Sequence, residues 1–203
     1  MNKSNNTVII KYNAGNVQSV LFALERIGIN ATVTDNHEAI LAADKVIFPG
    51  VGNAGSAMKS LQNSNLDALI KSLKQPVLGI CVGMQLLCRF SEESSTTCLG
   101  IIDETVQLFK PPTDQSQTFK VPQMGWNQIY DLKSPLFQSL NQHEYCYFVH
   151  SYFVPLNPYT IATANYIQPY SAAIQKDNFY GVQFHTEKSA TYGELILKNF
   201  MNL

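Results

Sequence analysis

The feature that most constrains the fold is an alternation in the first half of the chain. Short runs rich in β-branched and apolar residues, "TVIIKY" (7–12), "ATVTD" (31–35) and "KVIFPG" (45–50), are separated by segments with helical periodicity. Strands joined through helices are too far apart in sequence to pair as hairpins, so they line up in parallel with the helices as crossovers. Within "VQSVLFALERIG" (17–28), Val17, Val20, Leu21, Leu24 and Ile27 recur three or four positions apart, Glu25 and Arg26 fall off that stripe, and Gly28 supplies a stop. That pattern predicts a helix covering one face of a sheet. "LDALIKSL" (66–73) has the same period, "VLGIC" (77–81) is continuously apolar as a central parallel strand requires, and "VGMQLLCRF" (82–90) reads as the next helix.

Beyond about residue 104 the texture changes. "TVQLF", "YCYFVHSYFV", "IATANY", "AAIQK" and "FYGVQF" read as strands separated by Pro, Asn and Asp turns, which predicts antiparallel strands added to the parallel core. "TYGELILKNFMNL" (191–203) returns to a helical period and is expected to pack back on the sheet, while "KPPTDQSQTFK" (110–120) reads as a polar surface loop. With no internal repeat or linker, the 203 residues are expected to form one α/β domain spanning 1–203.

Composition removes several classes of function. A formal net charge of -1, with 14% charged residues, leaves no basic excess for nucleic acid or an anionic membrane. No apolar run reaches the roughly eighteen residues of a membrane span, and "MNKSNNTVIIKY" lacks the apolar centre and cleavage signal of a secretory leader, so a cytoplasmic location is expected. Cys81, Cys88, Cys98 and Cys146 are scattered without a C-x-x-C pair; all four are read as reduced, and neither a metal nor another cofactor is expected.

The stretch that carries chemistry is "PVLGICVGMQLL" (76–87), where an apolar strand turns into a helix at a cysteine between two glycines. Gly79, Cys81 and Gly83 spell G-x-C-x-G, the thiol counterpart of a nucleophile elbow, in which a sharp turn exposes the nucleophile and the glycines remove clashing side chains. A helix N-terminus beside such a thiol favours the thiolate and offers backbone N–H groups to an oxyanion. A buried structural cysteine with glycines placed for tight packing would give the same five residues.

A thiolate nucleophile needs a base. In "GVQFHTEKS" an apolar strand would deliver His185 at its end, and in an extended chain Glu187 would point to the same side and orient the imidazole. The competing reading is a surface His beside a surface Glu. His37, after "TDN", reads as an exposed turn residue and His143 as exposed, whereas His150 in "YFVHSYF" stays open between a core residue, a binding residue and a rival base.

With Cys81, His185 and Glu187 in place, the sequence resembles the class I, triad-type glutamine amidotransferases and, more narrowly, the glutaminase subunits of imidazole glycerol phosphate synthase. "KYNAGNVQSVLFALERIG", "FPGVGNAGSAM", "GICVGMQLL", "MGWN", "YFVHSYF" and "GVQFHTEKS" occur in that family's order across essentially the whole chain. The resemblance implies a flavodoxin-like open sheet with a parallel core, helices on both faces and added antiparallel strands. It implies Cys81 as nucleophile, His185 as general acid and base, and Glu187 as orienting carboxylate. Backbone at Gly50, Val51, Gly52 and Val82 would form the oxyanion hole, with a peptide rotation in that loop on partner docking. Gln85, Glu93 and the backbone of Ser151 and Tyr152 would hold L-glutamine, and Trp126 and Asn127 would dock a (β/α)₈-barrel cyclase that receives ammonia. The chain has no room for that barrel, so a heterodimer with a separate protein is expected.

Two departures stand out: Thr186 replaces the family's usual proline between His and Glu, and Val82 replaces the usual leucine. An extended threonine would still place His185 and Glu187 on one side. Two other readings exist. Near relatives of this subunit feed ammonia to amidotransferases that build surface sugars. Separately, "GVGNAG" (Gly50 to Gly55) spells the G-x-G-x-x-G of a dinucleotide site, but it follows a later strand, and about twenty residues on, where an acid-ended strand is needed, "LDALIKSLK" reads as helix.

Overall fold

The computed structural model describes residues 6–13, 16–113 and 119–203. Residues 1–5 of the leader reading, 14–15 of "KYNAGN" and 114–118 of the polar loop lie outside the described residues. In chain order the elements are β1 (Thr7–Ile10), α1 (Val17–Arg26), β2 (Ala31–Thr34), α2 (His37–Leu41), β3 (Lys45–Gly50), α3 (Ala54–Asn63), α4 (Leu66–Ser72), β4 (Val77–Cys81) and α5 (Val82–Leu86). They continue with β5 (Cys88–Ser91), β6 (Thr96–Thr97), β7 (Ile102–Leu108), β8 (Gln123–Ile129), β9 (Glu144–His150), β10 (Tyr152–Phe153), β11 (Thr160–Asn165), β12 (Pro169–Lys176), β13 (Phe179–Val182) and α6 (Ala190–Met201).

The main sheet has the order β11-β12-β13-β4-β3-β1-β2. From β13 to β2 every neighbouring pair is parallel, and β12 and β11 continue the sheet antiparallel at one edge. Every residue of β1, β3 and β4 is buried, which is why these strands are continuous apolar runs, whereas β2 at the opposite edge stays partly open and carries threonines. The chain steps outward from β1 to β2, then returns across β1 to β3 and β4, so right-handed crossovers place α1 on one face and α2, α3 and α4 on the other. The packing agrees: α6 lies against α1, while α3 packs on α4 and α5. Among the described residues no helix is long and apolar enough to cross a membrane.

Several sequence expectations need correction. "VGMQLLCRF" is not one helix: α5 ends at Leu86, and Cys88 begins β5, which pairs in parallel with β7 through Cys88 and Ile102. An apolar stretch of nine fits either period, and the partner strand decides. "YCYFVHSYFV" is two strands broken at Ser151, because β9 pairs with β8 while β10 pairs with β7 in another sheet. Of the second-half strands only β11 and β12 extend the main sheet antiparallel; β13 belongs to its parallel core, and the others form a four-stranded and a two-stranded sheet. The segment around His37 is helical instead of a turn, because the Asn36 side chain accepts a hydrogen bond from Ala39 N and caps α2.

Candidate active site

Cys81 closes β4 with φ 54° and ψ -111°, and Val82 opens α5. A non-glycine residue held in such a conformation costs about 1–3 kcal/mol and persists only where its surroundings impose it. Here the two glycines let them do so. A Cβ at Gly83 would sit 1.9 Å from Phe48 O of β3, and one at Gly79 would sit 2.8 Å from the Gly83 backbone. The first turn of α5 therefore lies directly on the backbones of β3 and β4. Cys81 is buried; its Sγ lies 3.8 Å from Val149 O and accepts a hydrogen bond from Gln183 Nε2 at 3.7 Å.

β13 runs beside β4, with Val182 opposite Ile80, and the chain continues past it to His185, whose N–H donates to Tyr147 O of β9 at 2.9 Å. His185 Nδ1 lies 2.8 Å from Glu187 Oε1. The intervening Thr186 is not extended, as the sequence reading expected, because Thr186–Lys188 forms one 3₁₀ turn. The turn is closed by Lys188 N donating to His185 O and Ser189 N donating to Thr186 O, and it folds the carboxylate back onto the ring of the extended His185. A carboxylate only accepts, so Nδ1 carries the proton and Nε2 is left for Cys81. Burial alone would lower the His185 pKa, but hydrogen bonds to Cys81 and Glu187 and the negative charges on both outweigh it and push it up to about 10. The ring therefore favours the imidazolium form facing a sulfur. Thr186 Oγ1 and Glu187 Oε2 are buried with no hydrogen-bond partner.

The other histidines fall away as bases. Burial drives the His150 pKa down to about 4, and its Nδ1 donates to Tyr152 O at 2.7 Å, so it is a neutral ring bracing the break between β9 and β10. His37 Nε2 lies 2.9 Å from Ser64 O, and His143 is exposed and stacked on Tyr130.

A cavity of about 340 Å³ opens over Cys81, bounded by Val51, Gly52, Val82, Gln85 and Glu93 on one side and by Ser151, Tyr152, His185 and Lys188 on the other. Gly50 is not at its wall. It lies in β3 opposite Cys81, where a Cβ would meet Gly83 N at 2.6 Å and Tyr12 Oη at 2.9 Å. Tyr12 donates to Pro49 O at 2.7 Å and braces this strand end; burial, reinforced by the nearby Cys81 charge, raises its pKa. Both Gln85 N–H groups are committed, to Tyr152 O at 3.0 Å and to Gln183 Oε1 at 2.9 Å, so toward a ligand Gln85 presents an acceptor. Glu93 Oε2 accepts from Ala54 N at 2.7 Å, and Asn53 Nδ2 donates to Ser94 Oγ at 3.0 Å, which ties the loop after β3 to the carboxylate across the cavity. The carbonyls of Ser151 and Tyr152 are engaged by Phe109 N and by Gln85 and His150.

Trp126 and Asn127 do not line the cavity. They sit in β8, with Trp126 53% exposed and edge-on to Tyr147 and with Asn127 Nδ2 donating to Asn165 O at 3.0 Å. Met124 and Tyr145 are exposed on the same hairpin. Of the G-x-G-x-x-G glycines, Gly50 packs against Gly83 beside the cysteine turn, Gly52 takes a left-handed φ of 88°, and Gly55 packs against Asn53, Ser94 and Thr96, while α4 follows where a dinucleotide fold needs an acid-ended strand. Among the described residues no group of three His, Cys, Asp or Glu could hold a metal ion. Sequence reasoning missed Gln183. Its signal was a single amide in an otherwise apolar strand end, two positions before His185.

Comparison with known proteins gives the family. The family described as "Glutamine amidotransferase class-I" matches residues 8–203. A Bacteroides fragilis protein named imidazole glycerol phosphate synthase subunit HisH is 56% identical over 195 residues, covering 96% of this chain and 98% of that protein. The Escherichia coli protein of the same name is 48% identical over 200 residues, covering 98% and 100%. The fold is also that of a solved glutamine amidotransferase, with a TM-score of 0.73 at 14% identity over 97% of both chains.

Proposed function

The chain belongs to the class I glutamine amidotransferases, and from that membership we propose that it is the glutaminase subunit of an imidazole glycerol phosphate synthase, acting through Cys81, His185 and Glu187. The observation that carries the reading is the strained Cys81 turn facing an imidazole whose other nitrogen is held by Glu187 at 2.8 Å. The names of the near-full-length relatives favour the synthase, and with it histidine biosynthesis, over a surface-sugar acceptor.

In the proposed reaction the Cys81 thiolate adds to the side-chain amide carbon of glutamine. The carbonyl electrons move to oxygen, which backbone donors at Val82 and the Val51–Gly52 loop receive, with Gly50 behind as the spacer that lets the strand end approach. As the tetrahedral species collapses, His185 gives its proton to the nitrogen and ammonia leaves, forming a glutamyl thioester. Water then loses a proton to His185 and attacks the thioester; the C–S bond breaks, returning thiolate and glutamate. Glu187 holds the ring and stabilises its charged form throughout. The free oxygen of Glu93 suits the substrate α-ammonium, the Gln85 carbonyl adds an acceptor, and the Ser151–Tyr152 backbone borders the substrate.

Free ammonia would be protonated and diluted in water, so useful transfer needs a covered route to a second site. The chain works as one subunit of a complex, and we place the partner, a cyclase with a (β/α)₈ barrel, on the exposed Trp126 and Asn127 hairpin. The test is glutamate release by the purified chain alone and with the cyclase subunit plus its ribonucleotide ligand. Strong stimulation that disappears in Cys81→Ala is expected. No release from a complex proven to form, or undiminished release from Cys81→Ala, would overturn the proposal.

A further inference from the structure

We infer that Gln183 is a further catalytic residue, whose side-chain amide donates a hydrogen bond to the Cys81 sulfur and holds it as thiolate, and that Gln85 sets the direction of that bond as a positioning residue. The inference rests on the glutaminase reading of the site and adds a group to it.

The direction follows from a chain of forced choices. Tyr152 O is a carbonyl and only accepts, so the Gln85 atom 3.0 Å away is the amide nitrogen. That nitrogen has a second N–H, and the Gln183 atom 2.9 Å from it is therefore the acceptor Oε1. With Oε1 turned to Gln85, Nε2 of Gln183 faces Cys81 Sγ at 3.7 Å, and an amide N–H can only donate. A sulfur that receives a hydrogen bond is favoured in its anionic form, both as attacking nucleophile and as group leaving the thioester. Packing alone gives no reason for an amide at this place: Gln183 is wholly buried, and its neighbours Val182 and Phe184 are wholly buried apolar residues. An amide buried there costs free energy unless its groups are bonded, and both of them are, one through Gln85 and one through the nucleophile. The strand end thus delivers two groups to one sulfur, the amide at 183 and the imidazole at 185.

The experiment reads the sulfur without glutamine. Alkylation of Cys81 by iodoacetamide in the full-length chain is followed by mass spectrometry of the peptide that carries it, across the pH range of thiol ionisation, for wild type and Gln183→Met. The ionisable groups that face Cys81 are His185 with Glu187 beyond it, Tyr12 from the end of β1, and His150, Glu93 and Lys188 around the cavity; all remain in the variant. The midpoint of the profile is expected to rise by about one pH unit, the scale of losing one hydrogen bond to the charged form. In the assembled complex kcat should fall about tenfold with KM held within about twofold, the pattern of a group acting on the reacting atom. A folded Gln183→Met protein with an unmoved midpoint overturns the inference. If that variant does not fold, Gln183→Asn carries the test: it keeps a buried amide but withdraws it from the sulfur by one methylene, so its midpoint must also rise, and one at or below wild type overturns the inference. The two readings fail separately. Wild-type glutamate release with an unmoved midpoint sinks the Gln183 role alone, whereas a raised midpoint in a complex that never releases glutamate sinks the glutaminase assignment.

Discussion

Replacing Thr186 with valine should stabilise the protein. Thr186 is almost wholly buried and its hydroxyl has no hydrogen-bond partner. It cannot turn outward by shifting the backbone, because its carbonyl accepts from Ser189 N and lies 1.9 Å from where a Cβ of Gly193 in α6 would stand. A buried hydroxyl without a partner costs about 1–3 kcal/mol, and valine keeps the branched shape while removing that polar group. Taking the low end, about 1 kcal/mol, the melting temperature of a chain of this size should rise by about 2–4 °C. Thermal unfolding by circular dichroism, with a urea midpoint as a second measure, checks it, and Thr186→Ser serves as the control that keeps the hydroxyl and loses the methyl. A valine variant that melts at or below the wild-type temperature would refute the reasoning, since the hydroxyl would then have to be satisfied in the folded protein.

Gly83→Ala should cost about 3 kcal/mol or more and abolish glutamine hydrolysis, because the new Cβ meets backbone of β3 at 1.9 Å and must displace the turn that carries Cys81; melting curves and glutamate release read both effects. Glu187→Gln, which keeps the shape and removes the charge, should lower kcat about a hundredfold or more, with the larger share of the loss in kcat and not in KM. His150 gives the stability an acid limb: its folded pKa of about 4 lies below the ordinary 6.5, so the unfolded chain binds the extra proton and stability falls as pH drops from 6.5 toward 4, by on the order of 3 kcal/mol. His185 acts on the alkaline side, where its folded pKa of about 10 means a contribution fully present below pH 6.5 and lost as pH rises toward 10. Urea midpoints measured against pH for wild type and a His150→Asn variant should show the acid limb shallower in the variant.

The parallel half of the fold was legible because its signals are local. β1, α1, β2, β3 and β4 each announce themselves by periodicity and a terminal turn, and their observed ends fall within about two residues of the sequence reading. From α5 onward the chain resisted because its strands are defined by distant partners. Nothing within "VGMQLLCRF" says that Cys88 will face Ile102, and nothing within "YCYFVHSYFV" says that Ser151 will break the strand so that Tyr152 can join β7. The same division runs through the site. Cys81 between its glycines and His185 two positions from Glu187 are short-range patterns, and the fold brings those patterns together beneath one cavity. The Gln183 amide shows in its strand, but its bond to Cys81, like the bond from Ala54 N to Glu93, joins residues far apart in the chain, so no window of sequence displays either contact.

The proposed reaction is covalent, with glutamine opened by the Cys81 sulfur. The most direct measurement is rapid acid quench of the assembled complex during glutamine turnover, followed by mass spectrometry of the peptide containing Cys81. A mass increment of one glutamyl group on Cys81 is expected, formed and lost at rates that match glutamate release, and absent from Cys81→Ala. Glutamine turnover with no adduct on that cysteine, in a quench shown to preserve thioesters, would contradict it.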